Sequence, residues 1–395
     1  QVHLAIPLFP RYNKPRISKT ERMIFMITHE HIKATFASLV AIDSPSLSER
    51  EMADHIKALF AGIGIALLED KSGTVTGSTA GNLYAYIEGD QTLEPVLLAA
   101  HMDTVAPACK KQAVFHDDDR VTSDGTTVLG ADDLAGVTAI YEALRKIREQ
   151  GSSHRPVELL FTTGEELYCK GANAFDFSNI RSRSAYVLDL SGEIGSAAYA
   201  APTLLSFEAR IQGKASHAGF RPEAGINAIL AAAKAIAQLP QGHIDEETTG
   251  NIGVIHGGAG TNIVSEACTV KGEIRSLKHE RALALLQQYK STFEKEASSL
   301  GASLVWADTV NIIAYETPAD SDTTTAYRRA VVQEGLTPSL YRTFGGSDNN
   351  VFAQHGIEGL VIATSMNNVH TCQEYCSIPE IAQVSRILLR LLNCQ

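Results

Sequence analysis

Acidic and imidazole side chains follow apolar segments at several places along this chain. The side chains concerned are His101, Asp132, Glu165, Glu166, Asp189 and His370. Most of the segments that carry them begin as apolar, strand-like runs and break into polar residues where a metal ligand would be presented. Imidazole and carboxylate groups are ligands of catalytic zinc, and paired zinc ions support hydrolysis. The order of these residues therefore predicts a hydrolase with two adjacent zinc ions.

Asp132 lies in the segment GADD, between a strand or hairpin and the start of a helix. Its two carboxylate oxygens could bridge metal ions that are roughly 3.5 to 4 Å apart, and a rigid strand-to-helix corner suits a bridging ligand. The alternative reading is that the adjacent acids of this segment only cap the first helical turn. The bridging role for Asp132 is the one that the rest of the set favours.

The pair Glu165-Glu166 comes directly after an apolar strand, in the segment TGEEL. Two neighbouring carboxylates repel each other and lose hydration there, so a nearby cation would resolve the conflict. Glu166 is predicted to ligate a metal, and Glu165 to take the proton of the attacking water and pass it to the leaving amine. An exposed acidic turn is the alternative.

The remaining candidates also stand at strand ends. Two-residue spacing places His101 and Asp103 on the same side of an extended backbone, so Asp103 could orient the imidazole. Asp189 ends the apolar strand AYVLDL, where a lone carboxylate would be costly without a partner. His370 follows the strand GLVIATSM after a short loop. Taken singly, each could be a satisfied core or surface histidine, a cap acid or a loop histidine.

Composition limits the class of protein. The chain has 395 residues, 44% of them hydrophobic, and 34 basic against 45 acidic residues, a formal net charge of -11. This length favours two domains, and the negative charge argues against a nucleic-acid surface and favours small-molecule partners. Six cysteines in a chain of this length form no dense disulfide framework. With no apolar run of roughly 20 residues, we expect a cytoplasmic protein without membrane contact.

Alternating strands and helices predict an α/β catalytic domain with a mostly parallel central sheet, formed by residues 27–203 and 314–395. Residues 1–26 show no helical period and are set apart as an N-terminal appendage. Residues 204–313 combine alternating strands with two long helices, predicted over Glu223–Leu239 and Lys278–Leu300. This middle part is predicted to be an inserted α+β domain.

The ordered motifs AAHMDTV, GADDLAG, TGEEL, VLDLSG and a late histidine resemble the co-catalytic zinc exopeptidase family. That family contains peptidase T, dipeptidases, aminoacylase and glutamate carboxypeptidase. The segments DGTTVLGADDLAG and FGGSDNNVF are most similar to its peptidase T branch. The resemblance spans about residue 27 to the C-terminus.

The resemblance implies two zinc ions per subunit, with manganese or cobalt as substitutes. One ion is held by His101 and Asp189, the other by Glu166 and His370, and Asp132 bridges them. Further implied features are the general base Glu165, the orienting acid Asp103 and a cis peptide bond between Asp132 and Asp133. Leu134 is a departure, because the family commonly has lysine there; the role of that cation is either lost or supplied elsewhere.

For the inserted domain, the resemblance implies a lid that also forms a homodimer. His217 matches a histidine that reaches the partner's active site and stabilises the oxyanion. Asn262, Arg275 and Gly346 match groups that bind the substrate. The implied activity is removal of the N-terminal residue from short peptides, above all tripeptides. A carboxypeptidase, a dipeptidase or an N-acyl-amino-acid amidohydrolase remains the alternative, and a non-catalytic metal-bearing binding protein is a further one.

Overall fold

The computed structural model describes residues 27–393, so the predicted appendage of residues 1–26 lies outside the described part. The α-helices of the described part are α1 His29–Val40, α2 Arg50–Ala61, α3 Gly73–Thr76, α4 Ala131–Gln150, α5 Lys170–Ala174, α6 Ala228–Ile236, α7 His279–Ser299, α8 Asp322–Gln333, α9 Asp348–Gln354 and α10 Ile378–Leu392. Its strands are β1 Leu68–Glu69, β2 Leu83–Ile87, β3 Val96–His101, β4 Val114–Phe115, β5 Arg120–Thr122, β6 Val157–Thr162, β7 Ser184–Ser191, β8 Ser196–Ala201, β9 Thr203–Gln212, β10 Ser216–His217, β11 Gly242–Asp245, β12 Thr248–Gly257, β13 Ile263–Val264, β14 Ala267–Ser276, β15 Ser303–Ile312, β16 Tyr315–Glu316, β17 Ser339–Arg342, β18 Glu358–Met366 and β19 Tyr375–Ser377.

The central sheet has the strand order β1-β2-β6-β3-β7-β18-β8-β16, with β17 paired to β8. Its middle, β6-β3-β7-β18, is parallel throughout, whereas β1, β2, β8 and β16 join by antiparallel pairing. The predicted fold class is confirmed, but parallel pairing dominates only the middle of the sheet. Short connections reverse the chain between β2 and β3 and between β7 and β8, so β2 and β8 run against the parallel middle strands.

Helices cover both faces of the central sheet. Leu98 and Ala100 of β3 belong to the large apolar core that includes α4 and α10. Leu97 and Ala99 of the same strand belong to the core on the other face, which includes Phe352 of α9. Every residue of β3 is buried. A strand buried on both faces reads as a continuous apolar run, which explains the sequence LLAA before His101.

A second, five-stranded antiparallel sheet lies within Thr203–Ile312, with the order β11-β12-β14-β9-β15. Helices α6 and α7 pack on it around Leu205, Phe207 and Tyr289. We call this sheet with its helices the lid. The predicted helix Glu223–Leu239 was too long, because Pro222 starts a separate short turn and the Asn227 side chain caps α6 by accepting the N–H of Leu230.

The chain passes from β8 of the central sheet into β9 of the lid, and returns from β15 into β16. The change between sheets thus occurs between Ala201 and Thr203 on the way out and between Ile312 and Tyr315 on the way back. None of the helices in residues 27–393 is long and apolar enough to cross a membrane.

Candidate metal centre and catalytic site

Four adjacent parallel strands bring the predicted ligands to one edge of the central sheet. His101 ends β3, Glu166 follows β6, Asp189 lies near the end of β7, and His370 comes four residues after β18. Because parallel strands end on the same side of a sheet, these side chains meet in one crevice. Asp132 enters the crevice from the irregular start of α4.

The ligand atoms form two groups that share one residue. His101, Asp132 and Asp189 make up the first group, and Asp132, Glu166 and His370 the second, with the candidate ligand atoms of each group within 4.8 Å of one another. Asp132 Oδ1 lies 3.0 Å from His101 Nε2, while its Oδ2 lies 3.2 Å from His370 Nε2. Asp132 therefore turns one oxygen to each histidine, as a bridging carboxylate must.

The outer acid of each group completes the arrangement. Asp189 Oδ1 lies 4.0 Å from His101 Nε2, and Glu166 Oε1 lies 3.0 Å from His370 Nε2. Each imidazole nitrogen thus faces two carboxylates. Three protein ligands per ion, one of them shared, leave open positions for water and substrate.

The electrostatics of the crevice call for cations. Hydrogen bonds that His370 donates to the carboxylates of Asp132 and Glu166 raise its pKa to about 10. Burial opposes protonation of His101, yet Asp103 and Asp132 outweigh it and raise the pKa of His101 well above its ordinary value. The acids around both imidazoles thus favour positive charge at these positions. Metal ions would supply that charge, so the residues present fit a two-metal centre.

The same burial and neighbouring charges also shift the pKa values of the acids Asp189 and Asp132. Burial raises the pKa of Asp189, and the charges of Asp132 and Glu165 add to the rise. For Asp132, burial opposes ionisation, but the hydrogen bonds of His101 and His370 outweigh it and lower its pKa. The charge of His101 compensates Asp189 only in part, and a divalent ion beside the Asp189 carboxylate would supply the rest.

The corner that presents Asp132 is irregular. The peptide bond between Asp132 and Asp133 is cis, as the resemblance implied. Both residues have non-helical backbone angles, so the regular helix begins only after them. Asp133 is fully buried and accepts the backbone N–H of His101 at 3.2 Å. This contact ties the corner to the end of β3.

Asp103 orients more than the imidazole. His101 Nδ1 lies 2.9 Å from the backbone oxygen of Asp103 and 3.5 Å from its carboxylate. The carboxylate instead accepts the backbone N–H of Glu165 at 2.9 Å and of Glu166 at 3.3 Å. Asp103 therefore fixes the ring of His101 mainly through its carbonyl group, and holds the Glu165-Glu166 turn with its side chain.

Glu165 lies in a short 3-10 turn that starts after Gly164, whose φ of 60° permits the sharp change of direction. Burial raises the pKa of Glu165 well above its ordinary value, and the charges of Asp348 and Glu166 add to it. A carboxyl group with a raised pKa can both accept and return a proton near neutral pH.

Two buried acids were missed by the sequence interpretation. The carboxylate of Glu374 accepts the backbone N–H of Gly130 at 2.7 Å and of Asp132 at 2.9 Å. Asp348, the first residue of α9, accepts the hydroxyl of Thr162 at the end of β6. The position of Glu374 four residues after His370 was the only available signal, and it indicates no role by itself.

The predicted substrate-binding residues form two groups outside the metal-ligand set. Arg275 donates through Nη1 to the backbone oxygen of Phe344 at 2.8 Å, next to the Gly345-Gly346 loop. A Cβ atom at Gly346 would come within 2.1 Å of Ile312 Cδ1, so any side chain at this position would require Ile312 to move. These contacts bring Arg275 and the glycine loop together where the lid meets the catalytic domain.

His217 and Asn262 lie together in the lid. Strand β10 pairs His217 with Ile263, and the backbone oxygen of Asn262 accepts the N–H of Ala218 at 2.9 Å. Asn262 and His217 are exposed, and His217 stacks on Phe220 with ring centroids 4.2 Å apart. Within residues 27–393, no hydrogen bond or ion pair joins either residue to the metal-ligand set.

Leu134 is fully buried, and a lysine lies beside it. The Cε atom of Lys111 and the Cδ1 atom of Leu134 would both lie 3.4 Å from a Cβ atom at Gly130. Lys111 Nζ donates to the backbone oxygen of Ile42 at 2.7 Å, and burial lowers the pKa of Lys111 to about 8. A cationic side chain thus reaches the same corner from another part of the chain.

Comparison with known proteins identifies the family of the chain. Residues 199–300 match the model described as a peptidase dimerisation domain, and residues 82–221 match the model described as peptidase family M28. An uncharacterized protein, YqjE, of Bacillus subtilis strain 168 is 36% identical over 93% of this chain and 99% of its own length.

Two solved structures are similar over nearly their whole length. The aminopeptidase PepT of Bacillus cereus is 36% identical, with a TM-score of 0.87 over 93% of this chain and 98% of its own. A tripeptidase of Staphylococcus aureus is 31% identical, with a TM-score of 0.90 over the same shares. The chain belongs to the peptidase T-like family of metallopeptidases.

Proposed function

We propose that this protein is a dinuclear zinc aminopeptidase that removes the N-terminal residue from tripeptides. The observation that carries the proposal is the position of Asp132, which turns one carboxylate oxygen to His101 and the other to His370. A buried acid shared by two ligand groups is the signature of a paired-metal hydrolase. The choice of tripeptides follows the activities of the aminopeptidase and the tripeptidase to which the chain is similar.

The first ion would be held by His101 and Asp189, the second by Glu166 and His370, and Asp132 would be shared. Imidazole and carboxylate ligands without a thiolate suit zinc and also admit manganese or cobalt. When bound, the two ions would polarise the scissile carbonyl and lower the pKa of the attacking water.

Glu165 would handle the proton of the reaction. Like Glu166, it is half-buried, and the hydrogen bond from its backbone to Asp103 fixes the turn that carries both acids. Its carboxylate would accept the proton of the water and then deliver it to the nitrogen of the leaving amine. General acid–base catalysis of this kind contributes roughly 10² to 10⁴-fold to a rate.

Arg275 and Gly346 would bind the peptide from the same subunit. The guanidinium of Arg275 suits a planar carboxylate, and the close-packed loop at Gly346 would bring a backbone amide near the substrate. His217 and Asn262 would act across a homodimer, since they lie on the exposed tip of the lid. His217 would then stabilise the oxyanion in the partner's active site.

The lid offers a surface for this dimer. Apolar side chains are exposed along α6, β12 and the β10–β13 region: Phe220, Ile229, Leu230, Val254, Ile255 and Ile263. Beyond Gly250, β12 has no strand on its outer side in the described part of the chain. An edge of this kind, with apolar side chains around it, is suited to pairing with a second copy.

A cytoplasmic location is part of the same proposal. Cys109, Cys169, Cys268, Cys372 and Cys376 are all free thiols. A protein with several unpaired cysteines suits a reducing compartment.

The decisive test compares tripeptides, dipeptides, C-terminally blocked tripeptides and N-acyl amino acids as substrates of the zinc-loaded protein. We expect fastest cleavage of free tripeptides at the first peptide bond, seen by mass analysis of the products. Preferred cleavage of N-acyl amino acids would instead support the amidohydrolase alternative.

The Glu165→Gln variant tests the mechanism. We expect its kcat to fall by about 10² to 10⁴-fold while both metal ions remain bound, because the amide cannot accept the proton. Metal content measured on the same sample is the control. Unchanged activity at full metal content would exclude Glu165 as the base and leave the mechanism wrong.

A further inference from the structure

A third group of metal-ligating atoms lies outside the two groups that share Asp132. It consists of Glu165, Cys169 and Asp348, whose ligand atoms lie within 4.8 Å of one another. Cys169 and Asp348 belong to neither of the two ion sites described above. Both are about 1% exposed, while Glu165 is half-buried.

The geometry of this third group suits one small cation. Cys169 Sγ lies 3.5 Å from Glu165 Oε1. In a tetrahedral zinc site, a sulfur at roughly 2.3 Å and an oxygen at roughly 2.0 Å from the ion are separated by about 3.5 Å. The distance between the Cys169 sulfur and the Glu165 oxygen therefore already equals the separation of two ligand atoms in a tetrahedral zinc site.

One carboxylate oxygen of Asp348 is a second, independent indication of a bound cation. Its Oδ2 accepts the hydroxyl of Thr162, but its Oδ1 is buried and has no hydrogen-bond partner among residues 27–393. A buried carboxylate oxygen without a donor is costly. A cation between Asp348, Cys169 and Glu165 would satisfy this oxygen.

The backbone around the group is fixed before any ion binds. Asp348 is the first residue of α9, whose start is held by a capping box between Ser347 and Asn350. The backbone N–H of Cys169 donates to the backbone oxygen of Glu165 at 2.7 Å, which closes the turn between them. Little chain entropy is then lost on binding.

We propose that Glu165, Cys169 and Asp348 form an inhibitory site for a third, thiophilic divalent cation such as zinc or cadmium. Binding forms a sulfur–metal bond and two oxygen–metal bonds, and releases the thiol proton and any proton on the carboxyl groups to solvent. No oxidant or reductant takes part. The ion occupies the carboxylate of Glu165, so this side chain can no longer accept a proton, and excess zinc stops hydrolysis.

The binding step is tested without any activity measurement. The protein is loaded with two equivalents of zinc, then titrated with cadmium while thiolate-to-metal absorption and total bound metal are recorded. The two ion sites contain no cysteine, so this absorption reports thiolate ligands alone. We expect a third equivalent with thiolate absorption in the wild type, and its loss in Cys169→Ala.

Two variants keep the test sharp. Cys268→Ala removes another buried thiol, in β14 of the lid, and should bind the third ion as the wild type does. Asp348→Asn keeps the shape of the side chain but weakens a ligand, so we expect about tenfold weaker binding of the third ion. Thiolate absorption that persists in Cys169→Ala, or that never appears in the wild type, would overturn the proposal.

The inhibitory role rests on the proposed function and has its own measurement. Excess zinc should slow peptide hydrolysis by the wild type and by Cys268→Ala, and should leave Cys169→Ala at its own two-zinc rate. Equal inhibition of Cys169→Ala would overturn the inhibitory role. If the protein cleaved no peptide at all, the cadmium titration would still decide whether the site exists.

Discussion

At the scale of single residues, the buried carboxylate of Glu374 connects the loop after His370 to the backbone that presents Asp132. Glu374 lies in the loop after His370, and its two oxygens accept the N–H groups of Gly130 and Asp132. Burial raises the pKa of Glu374 to about 7, so it takes up a proton more readily than an exposed glutamate. Glu374, in the loop that carries the ligand His370, thus positions the backbone of the ligand Asp132, which is 242 residues away from Glu374 along the chain.

This contact predicts the effect of Glu374→Gln. A glutamine can accept one of the two N–H groups, but its own amide N–H₂ then faces the other. We expect zinc affinity to fall by about 10 to 100-fold, as for other changes behind a metal ligand. Competition with a chelator measures the affinity. Glu380→Gln is the matched control, because Glu380 accepts a hydroxyl from Ser365 and does not touch the Asp132 corner; an equal loss there would contradict the positioning role.

At the scale of secondary structure, α4 carries Asp132 and must lie close against the sheet. A Cβ atom at Gly136 would come within 2.3 Å of Asp133 Oδ1 and 2.6 Å of the backbone oxygen of Leu188. The missing side chain at position 136 therefore sets the distance between α4 and β7. The same distance brings Asp132 to Asp189.

Gly136→Ala is expected to destabilise the fold. Alanine favours the helix by about 1 kcal/mol, but overpacking against backbone atoms costs roughly 1 to 3 kcal/mol or more. The packing cost should win, with a net loss of about 2 kcal/mol in the free energy of unfolding. Urea unfolding measures it. Gly253→Ala, whose Cβ would meet only Asn251 Nδ2 at 3.4 Å, should change stability little; a stable Gly136→Ala variant would refute the close-packing argument.

An ion-pair cluster joins α2 to β1. Glu69 accepts hydrogen bonds from Arg50 at 2.7 Å and from Lys57 at 3.0 Å. The hydrogen bond from Arg50 is the largest cause that lowers the pKa of Glu69 from 4.5 to about 2. Because the folded pKa lies below the unfolded one, the stabilisation is complete above pH 4.5 and is lost as the pH falls towards 2.

The Glu69→Gln variant tests this pH dependence. At pH 7 we expect it to be about 1 kcal/mol less stable than the wild type, since the pair is partly solvent-screened. The difference should shrink between pH 5 and pH 3, where the wild-type carboxylate begins to take up a proton. Urea unfolding at several pH values gives the comparison. Glu88→Gln serves as an exposed control, and a difference that grew on acidification would have the wrong sign for this model.

At the scale of the whole molecule, assembly is expected to complete the active site. His217 lies in the lid. Among residues 27–393, its hydrogen bonds and strand pairing are all made with other lid residues and not with the metal ligands of its own subunit. The exposed edge of β12 carries Val254 and Ile255, which are 49% and 54% exposed. A dimer through this edge would cover these side chains and could carry His217 to the other subunit.

Ile255→Glu is expected to separate the dimer. A charge in the apolar edge would be buried without a partner on association, which costs several kcal/mol. We expect a monomer by light scattering after size-exclusion chromatography, together with a fall in kcat. Val305→Glu alters an exposed residue on β15, the opposite edge of the lid sheet, and should remain dimeric. A dimeric Ile255→Glu variant would place the interface elsewhere.

Local patterns of sequence were enough for the fold class and for the family. Apolar runs that break at His101, Glu165 and Asp189 mark strand ends, because a strand buried on both faces must be apolar until it leaves the sheet. Parallel strands end on one side, so candidate ligands at their ends could be assigned to one crevice without coordinates. The bounds of α6 and the antiparallel outer strands departed from expectation, because a single side-chain cap and short connections decided them.

Only the tertiary structure decided which acids support the centre. The contacts of Asp132 with both histidines, the hydrogen bonds of Glu374 to the Gly130 and Asp132 backbone, and the hydrogen bond from Thr162 to Asp348 all join residues far apart in sequence. Neither periodicity nor spacing encodes such contacts, because the local sequence around an acid in a loop does not show whether its side chain is solvated or buried. Burial and the partners it brings arise when the helices close over the sheet, and these set the charge and the chemistry of each carboxylate.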